Sequence, residues 1–232
     1  NPVGRVWTED EVRNIVELCK KYSVWLFSDE IHGDVVLYGH QYTSAARFAD
    51  VYDHMLVYTA ISKTFNMAGL GSSCMMIPNP ELKQKISDSY DACWKIQEDT
   101  LRQAWLMSPN CMANSAIEAC YTYGDEWVDE QNAYLTENAE FVTSYLKEHA
   151  PQIKPVKPEG TYLMWLDCSE LSMTSEEIVK ILASEYKMAV GGGAGYQGNG
   201  EYFLRFNIGC PRETLEKGME ILAQFVADKK GV

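Results

Sequence analysis

The chain has 232 residues, 46% of them hydrophobic, which is enough to bury one large core or two smaller ones. Its 20 Lys and Arg stand against 33 Asp and Glu, giving a net charge of -13, and a field of that sign repels nucleic acid and anionic membrane surfaces. Composition therefore points to a small-molecule ligand.

Thr8-x-x-Glu11 is a capping box, and Val12, Ile15, Val16, Leu18 and Cys19 follow at near-helical spacing, which predicts a helix from about 8 to 22. Val24-Trp25-Leu26-Phe27 reads as a short buried strand. The apolar runs from His54 to Ile61 and Ser72 to Ile77 read as two more, and such continuous runs suit a parallel sheet covered on both faces. Pro80 starts a helix to about Trp94, Ser108-Pro109 is an N-cap with a first-turn proline for another, and Asp125 to His149 is long and amphipathic. Pro151, Pro155 and Pro158 break this pattern. Strand-like Thr161 to Leu166, a helix from Thr174 to Tyr186, strand-like Tyr202 to Ile208 and a helix from Pro211 to Lys229 then describe a small α/β domain after about residue 150.

Cys19, Cys74, Cys93, Cys111, Cys120, Cys168 and Cys210 include no C-x-x-C pair, so they are expected as reduced core residues and no metal site is expected. No apolar run approaches the roughly 20 residues that span a bilayer. The opening Asn1-Pro2-Val3-Gly4 does not read as a signal peptide, so a cytoplasmic location is expected. The chain opens on Asn1, in the middle of a motif, and an N-terminal portion is expected ahead of it.

Four segments offer chemistry. Lys63, in Thr59-Ala60-Ile61-Ser62-Lys63-Thr64-Phe65-Asn66, directly follows a predicted strand, where doubly wound sheets bind ligands. It is either a surface loop lysine or a desolvated amine able to form a Schiff base. Asp29-Glu30-Ile31-His32 closes the first strand; it is a polar loop, the beginning of a metal site with no third ligand evident, or a carboxylate that holds a proton on a heterocyclic nitrogen. Gly193-Ala194-Gly195-Tyr196-Gln197-Gly198 matches GxGxxG, but a strand rather than a helix follows it, so it reads as a flexible, close-approach loop. Arg205 lies between aromatics in an apolar run, either facing water on an edge strand or meeting a carboxylate with its planar fork.

Five segments occur in a familiar order. These are Asn1-Pro2-x-Gly4-Arg5, Ser28-Asp29-Glu30-Ile31-His32, Ser62-Lys63-Thr64-Phe65-Asn66-x-x-Gly69-Leu70, Pro158-Glu159-Gly160-Thr161-Tyr162-x-x-Trp165-Leu166-Asp167, and Arg205-x-Asn207-x-Gly209-Cys210-Pro211-Arg212. Together they resemble the class I/II aminotransferase superfamily of pyridoxal-phosphate (PLP) enzymes. The wording of the second and fourth is similar to the MalY/PatB group of C-S β-lyases.

The resemblance implies an α/β chain of the aspartate-aminotransferase-like fold (fold type I). Residues 1–123 would be the C-terminal half of the PLP-binding large domain, 124–150 a connecting helix, and 151–232 the C-terminal small domain. Lys63 would bind PLP covalently and later move the Cα proton. Asp29 would keep the pyridine nitrogen protonated, Asn1 and His32 would bond the ring's phenolic oxygen, Ser62 and Thr59 would touch the phosphate, and Arg205 would clamp the substrate carboxylate. Many members carry a phosphate-binding arginine eight residues after the lysine; here Gly71 stands there, and the lyase subgroup often lacks that arginine too. Members also carry a phosphate loop and a stacking aromatic ahead of the Asn-Pro-x-Gly motif, so this chain is expected to be the C-terminal part of a site.

The activity implied is elimination from cystathionine or related cysteine S-conjugates to pyruvate, ammonia and a thiol, in a homodimer. The alternatives are an aminotransferase using the same lysine, and a non-catalytic fragment or interaction module.

Overall fold

The computed structural model describes residues 1–97, 111–196 and 198–230, with side chains described outside 90–97 and 230. Thr8 opens helix α1 (Glu9–Tyr22) with the capping box read from the sequence. Its hydroxyl accepts the Glu11 N–H at 3.3 Å while the Glu11 carboxylate accepts the Thr8 N–H at 2.9 Å, which satisfies two donors that have no intrahelical partner. At the other end Ser23 takes a left-handed φ of 54°, and the Val24 N–H returns 2.9 Å to the Cys19 carbonyl. Closing the helix uses that donor, so strand β1 (Leu26–Asp29) begins two residues later than the sequence predicts. Nor is the run fully buried: Val24, Trp25 and Phe27 are exposed.

The chain forms two compact units. One comprises Trp7–Asp34 and Gln41–Asp129. Its three-stranded sheet has the order β1-β2-β3, with β2 at Met55–Thr59 and β3 at Cys74–Met76. β1 and β2 are parallel, in register Leu26 with Met55 through Asp29 with Tyr58. β3 runs antiparallel to β2, which corrects the expectation of an all-parallel sheet. The reason is the connection: between β2 and β3 lie only the single turn α2 (Ile61–Thr64) and a 3₁₀ turn (Ala68–Leu70), not the long helix that a parallel crossover uses. Helix α1 and the 3₁₀ turn Ala45–Phe48 cover one face of the sheet, where Val12, Val16, Phe48, Met55 and Val57 form a small core. On the other face Phe27 is 64% and Met75 40% exposed. Helices α3 (Pro80–Gln97) and α4 (Ala113–Tyr123) follow. The helix expected at Ser108-Pro109 lies outside the described residues.

The other unit comprises Asn1–Val6, Val35–His40 and the chain from Glu130 onward. It contains most of helix α5 (Asp125–His149), helices α6 (Ser175–Ser184) and α7 (Arg212–Lys230), and an antiparallel four-stranded sheet in the order β4-β5-β7-β6. These strands are β4 (Lys154–Pro155), β5 (Leu163–Asp167), β6 (Gly191–Gly192) and β7 (Phe203–Asn207). β5 starts two residues after the predicted Thr161 because Thr161 has φ 63°, outside the extended region. Met164 pairs with Phe206 and Leu166 with Leu204, and all four are buried with Val142, Leu146, Ile178, Leu182 and Phe225 in one core. Each such side chain stabilises the unit by roughly 1.5–3 kcal/mol.

Of the described cysteines only Cys120 and Cys168 are buried; Cys111 is exposed and Cys19, Cys74 and Cys210 are half-buried. The expectation of core cysteines therefore holds for two of them.

Candidate active site

Asp29 ends β1 directly opposite Tyr58 of β2. Beyond it the ladder continues for one step, the Glu30 N–H donating to the Tyr58 carbonyl at 2.8 Å, and the chain then turns through Gly33 N–H to the Glu30 carbonyl. A side chain at Gly33 would meet the Tyr42 ring at 2.8 Å and would have to displace it. The two adjacent acids take different parts. Glu30 is turned inward: its carboxylate accepts from the Ser28 hydroxyl at 2.8 Å and from the Ala45 N–H at 2.9 Å, which holds the 3₁₀ turn that covers the sheet. Burial and the bond to Glu30 push the Tyr42 phenol well above its usual range. Asp29 remains exposed, its carboxylate accepting the Ile31 N–H at 3.2 Å, and lines a cleft of about 400 Å³. Phe27, Ile31, Tyr58, Thr59 and Ser73 line the rest of that cleft.

β2 runs out at Thr59, whose hydroxyl lies 3.5 Å from the Tyr121 phenol. Ala60, in extended conformation, then leads into α2, where Ile61 and Thr64 are buried and Ser62 and Lys63 between them are half-buried. The turn is anchored from both ends of Thr64. Its hydroxyl donates to Asp34 at 2.9 Å, and its carbonyl accepts the Trp127 indole N–H at 3.1 Å. Phe65 next to it lies against Gly124, where any Cβ would overlap the ring. A lysine on a turn fixed at its neighbours has a defined starting point for its side chain, which a catalytic amine needs. His32 lies half-buried in the loop after β1.

Asn1 and Arg205 belong to the other unit and meet there: Arg205 Nη1 donates to Asn1 Oδ1 at 3.3 Å. Arg205 alternates with the core residues Leu204 and Phe206 on β7, so it is directed to the opposite face of the sheet, in line with Trp165 on β5 and Gly191 on β6. Burial raises the Tyr162 phenol while the nearby Arg205 charge pulls it down. The Asn1 end is tied in place by Gly4, whose φ is 76° and whose carbonyl accepts from the Glu159 N–H at 2.7 Å and the Gly160 N–H at 3.0 Å. The Glu159 carboxylate in turn accepts the Val6 N–H at 2.8 Å. Two motifs more than 150 residues apart are thereby joined.

Of the residues singled out from the sequence, Asp29 and Thr59 line one cleft, Ser62 and Lys63 share one turn, and Asn1 and Arg205 share a hydrogen bond. Asp34, Trp127 and Tyr121 were not singled out, and Tyr196 was named only as part of the glycine-rich loop. Only Trp127, a large aromatic in the first turn of a polar helix, carried a local signal. Among the described residues no group of three or more His, Cys, Asp and Glu could hold a metal ion, and no helix is long and apolar enough to cross a membrane.

The chain is 36% identical over 220 residues to cystathionine beta-lyase PatB of Bacillus subtilis, an alignment covering 94% of this chain and 54% of that protein. It is 33% identical over 223 residues to protein MalY of Escherichia coli, covering 94% and 53%. Cystalysin of Treponema denticola, whose structure contains a pyridoxal 5'-phosphate cofactor, superposes with a TM-score of 0.87 at 30% identity over 98% of this chain and 55% of that one. The chain thus spans about half the length of the curated relatives it matches. The family model for aminotransferase class I and II matches residues 1–222, and the chain belongs to that family.

Proposed function

We propose that this chain forms part of a PLP-dependent C-S β-lyase acting on cystathionine or a related cysteine S-conjugate, with pyruvate, ammonia and a thiol as products. The observation that carries the proposal is the side-chain set at the ends of β1 and β2: a carboxylate, Asp29, and a hydroxyl, Thr59, on one cleft, followed four residues later by the amine of Lys63 on an anchored turn. This donor set fits PLP, which needs a primary amine for its aldehyde, an acid for its ring nitrogen and hydroxyl donors for its phosphate. We assign residues 1–123 to the C-terminal half of a PLP-binding large domain, 124–150 to a connecting helix and 151–232 to the small domain. The acting form is a homodimer in the cytoplasm.

PLP, when bound, supplies an electron-withdrawing ring that accepts the electron pair released at Cα. Lys63 would hold the cofactor through its Nζ and, with substrate bound, would take the proton from Cα. Asp29 would hold a proton on the cofactor's ring nitrogen. Asn1 and His32 would hydrogen-bond its phenolic oxygen, and Ser62 and Thr59 would donate to its phosphate. Arg205 pairs with the substrate carboxylate and so orients the Cα–H bond for cleavage. With a thioether sulfur on Cβ, loss of that proton would allow the C–S bond to break, the sulfur leaving as a thiolate, and the unsaturated product would hydrolyse to pyruvate and ammonia.

The 36% identity to PatB favours elimination over transamination as the outcome. The discriminating assay supplies the full-length, PLP-loaded protein with cystathionine and no keto acid. Pyruvate over many turnovers supports the lyase. Product that stops near one equivalent and resumes when a keto acid is added replaces it with an aminotransferase.

A further inference from the structure

We infer that Tyr196, in the glycine-rich loop, is a positioning residue that sets the orientation of the Arg205 guanidinium. The inference rests on the reading of Arg205 as the partner of the substrate carboxylate and extends it to a residue outside the motif. Arg205 Cζ lies over the Tyr196 ring, 5.9 Å from its centroid, within the range where a cation is attracted to the ring face. Its Nη1 is held by Asn1 at 3.3 Å. One hydrogen bond leaves a guanidinium free to rotate about it, whereas a second contact on another side fixes its plane.

Tyr196 can act this way because the loop gives its ring little freedom. The Tyr196 N–H donates to the Gly193 carbonyl at 2.9 Å, the Gly193 N–H to the Phe203 carbonyl at 2.8 Å, and the Ala194 N–H to the Ser175 hydroxyl at 3.2 Å. A Cβ at Gly193 would come within 2.7 Å of Trp165 Cη2 and 2.6 Å of the Phe203 carbonyl oxygen, so the loop is drawn close to β7 where only glycine fits. Trp165 itself stacks on Phe203 at 5.2 Å and 11°, and meets Tyr196 edge-on at 5.4 Å and 80°. Gly193 therefore serves close packing, and the loop it anchors holds an aromatic ring toward Arg205.

The test uses the full-length holoenzyme with Tyr196→Ala, Tyr196→Phe, Arg205→Ala and the Tyr196→Ala/Arg205→Ala pair. KM and kcat are measured for a cysteine S-conjugate, and calorimetric affinity for the matching cysteamine S-conjugate, which lacks the carboxylate. Tyr196→Ala should raise KM roughly three- to thirtyfold, the range of one such contact, with kcat little changed. Tyr196→Phe should stay near wild type because the ring face makes the contact. On the Arg205→Ala background Tyr196→Ala should add nothing, and affinity for the amine without a carboxylate should not move. An unchanged KM in Tyr196→Ala, an equal loss for both ligands, or a full additional loss on the Arg205→Ala background overturns the inference. An unchanged KM in Arg205→Ala alone instead overturns the carboxylate reading, and the inference with it.

Discussion

Arg205 and Asn1, 204 positions apart, are joined by one hydrogen bond of 3.3 Å between Nη1 and Oδ1. The bond uses one of the five N–H donors of the guanidinium and leaves the fork able to take a carboxylate. Arg205→Ala in the intact enzyme is therefore expected to weaken amino-acid binding about a hundredfold, the scale of a bidentate charged pair, while PLP affinity changes little. Parallel titrations of PLP and substrate decide this, and equal losses would show that Arg205 only supports the fold.

Lys63→Ala should abolish the visible absorbance of covalently held PLP and with it all turnover, since Lys63 alone follows a strand in the Ser-Lys-Thr context. An absorption spectrum of the purified variant is sufficient. A retained band with full activity would remove Lys63 from the site.

Asp29→Asn should leave the cofactor bound but lower turnover roughly a hundredfold or more, because a neutral ring nitrogen stabilises the developing negative charge poorly. The side chain is exposed on the cleft lining, so the fold should be unaffected. Turnover near that of wild type would make Asp29 structural.

Thr64→Val removes the bond to Asp34 with almost no change of shape, and Thr64 is fully buried. The loss should be about 1–3 kcal/mol, read as a lower denaturation midpoint. Because Thr64 anchors the turn that carries Lys63, PLP affinity should fall as well. A stability unchanged within error would show that the turn is held elsewhere.

The Cys168 thiol is pushed up to about 12 by burial and by the charge of Asp167. Its folded value lies above the ordinary 9.0, so the folded protein holds this proton more tightly. The stabilisation is complete below pH 9 and is lost as pH rises toward 12. Urea midpoints should accordingly fall more steeply above pH 9 in wild type than in Cys168→Ala. At pH 8 an alkylating reagent should modify exposed Cys111 well before Cys168, as peptide mass spectrometry would show.

Much of the local structure was already determined by the sequence. Thr8-x-x-Glu11 and the spacing behind it placed α1, the long amphipathic period placed α5 at Asp125–His149, and the order of five motifs identified the family. These signals are legible because a cap, a helical face or a loop motif depends on residues within a few positions of each other. The partners of the motifs were decided by tertiary structure alone. Whether β3 ran parallel or antiparallel depended on the absence of a long helix between Thr59 and Cys74, and whether Phe27 was buried depended on what covers its face. That Asp34 and Trp127 hold the Lys63 turn, that Gly4 receives Glu159, and that Tyr196 faces Arg205 could not be read from spacing. Contacts over 9 to 155 positions follow from packing, in which a side chain's partner is set by the path of the whole chain and no local propensity encodes it.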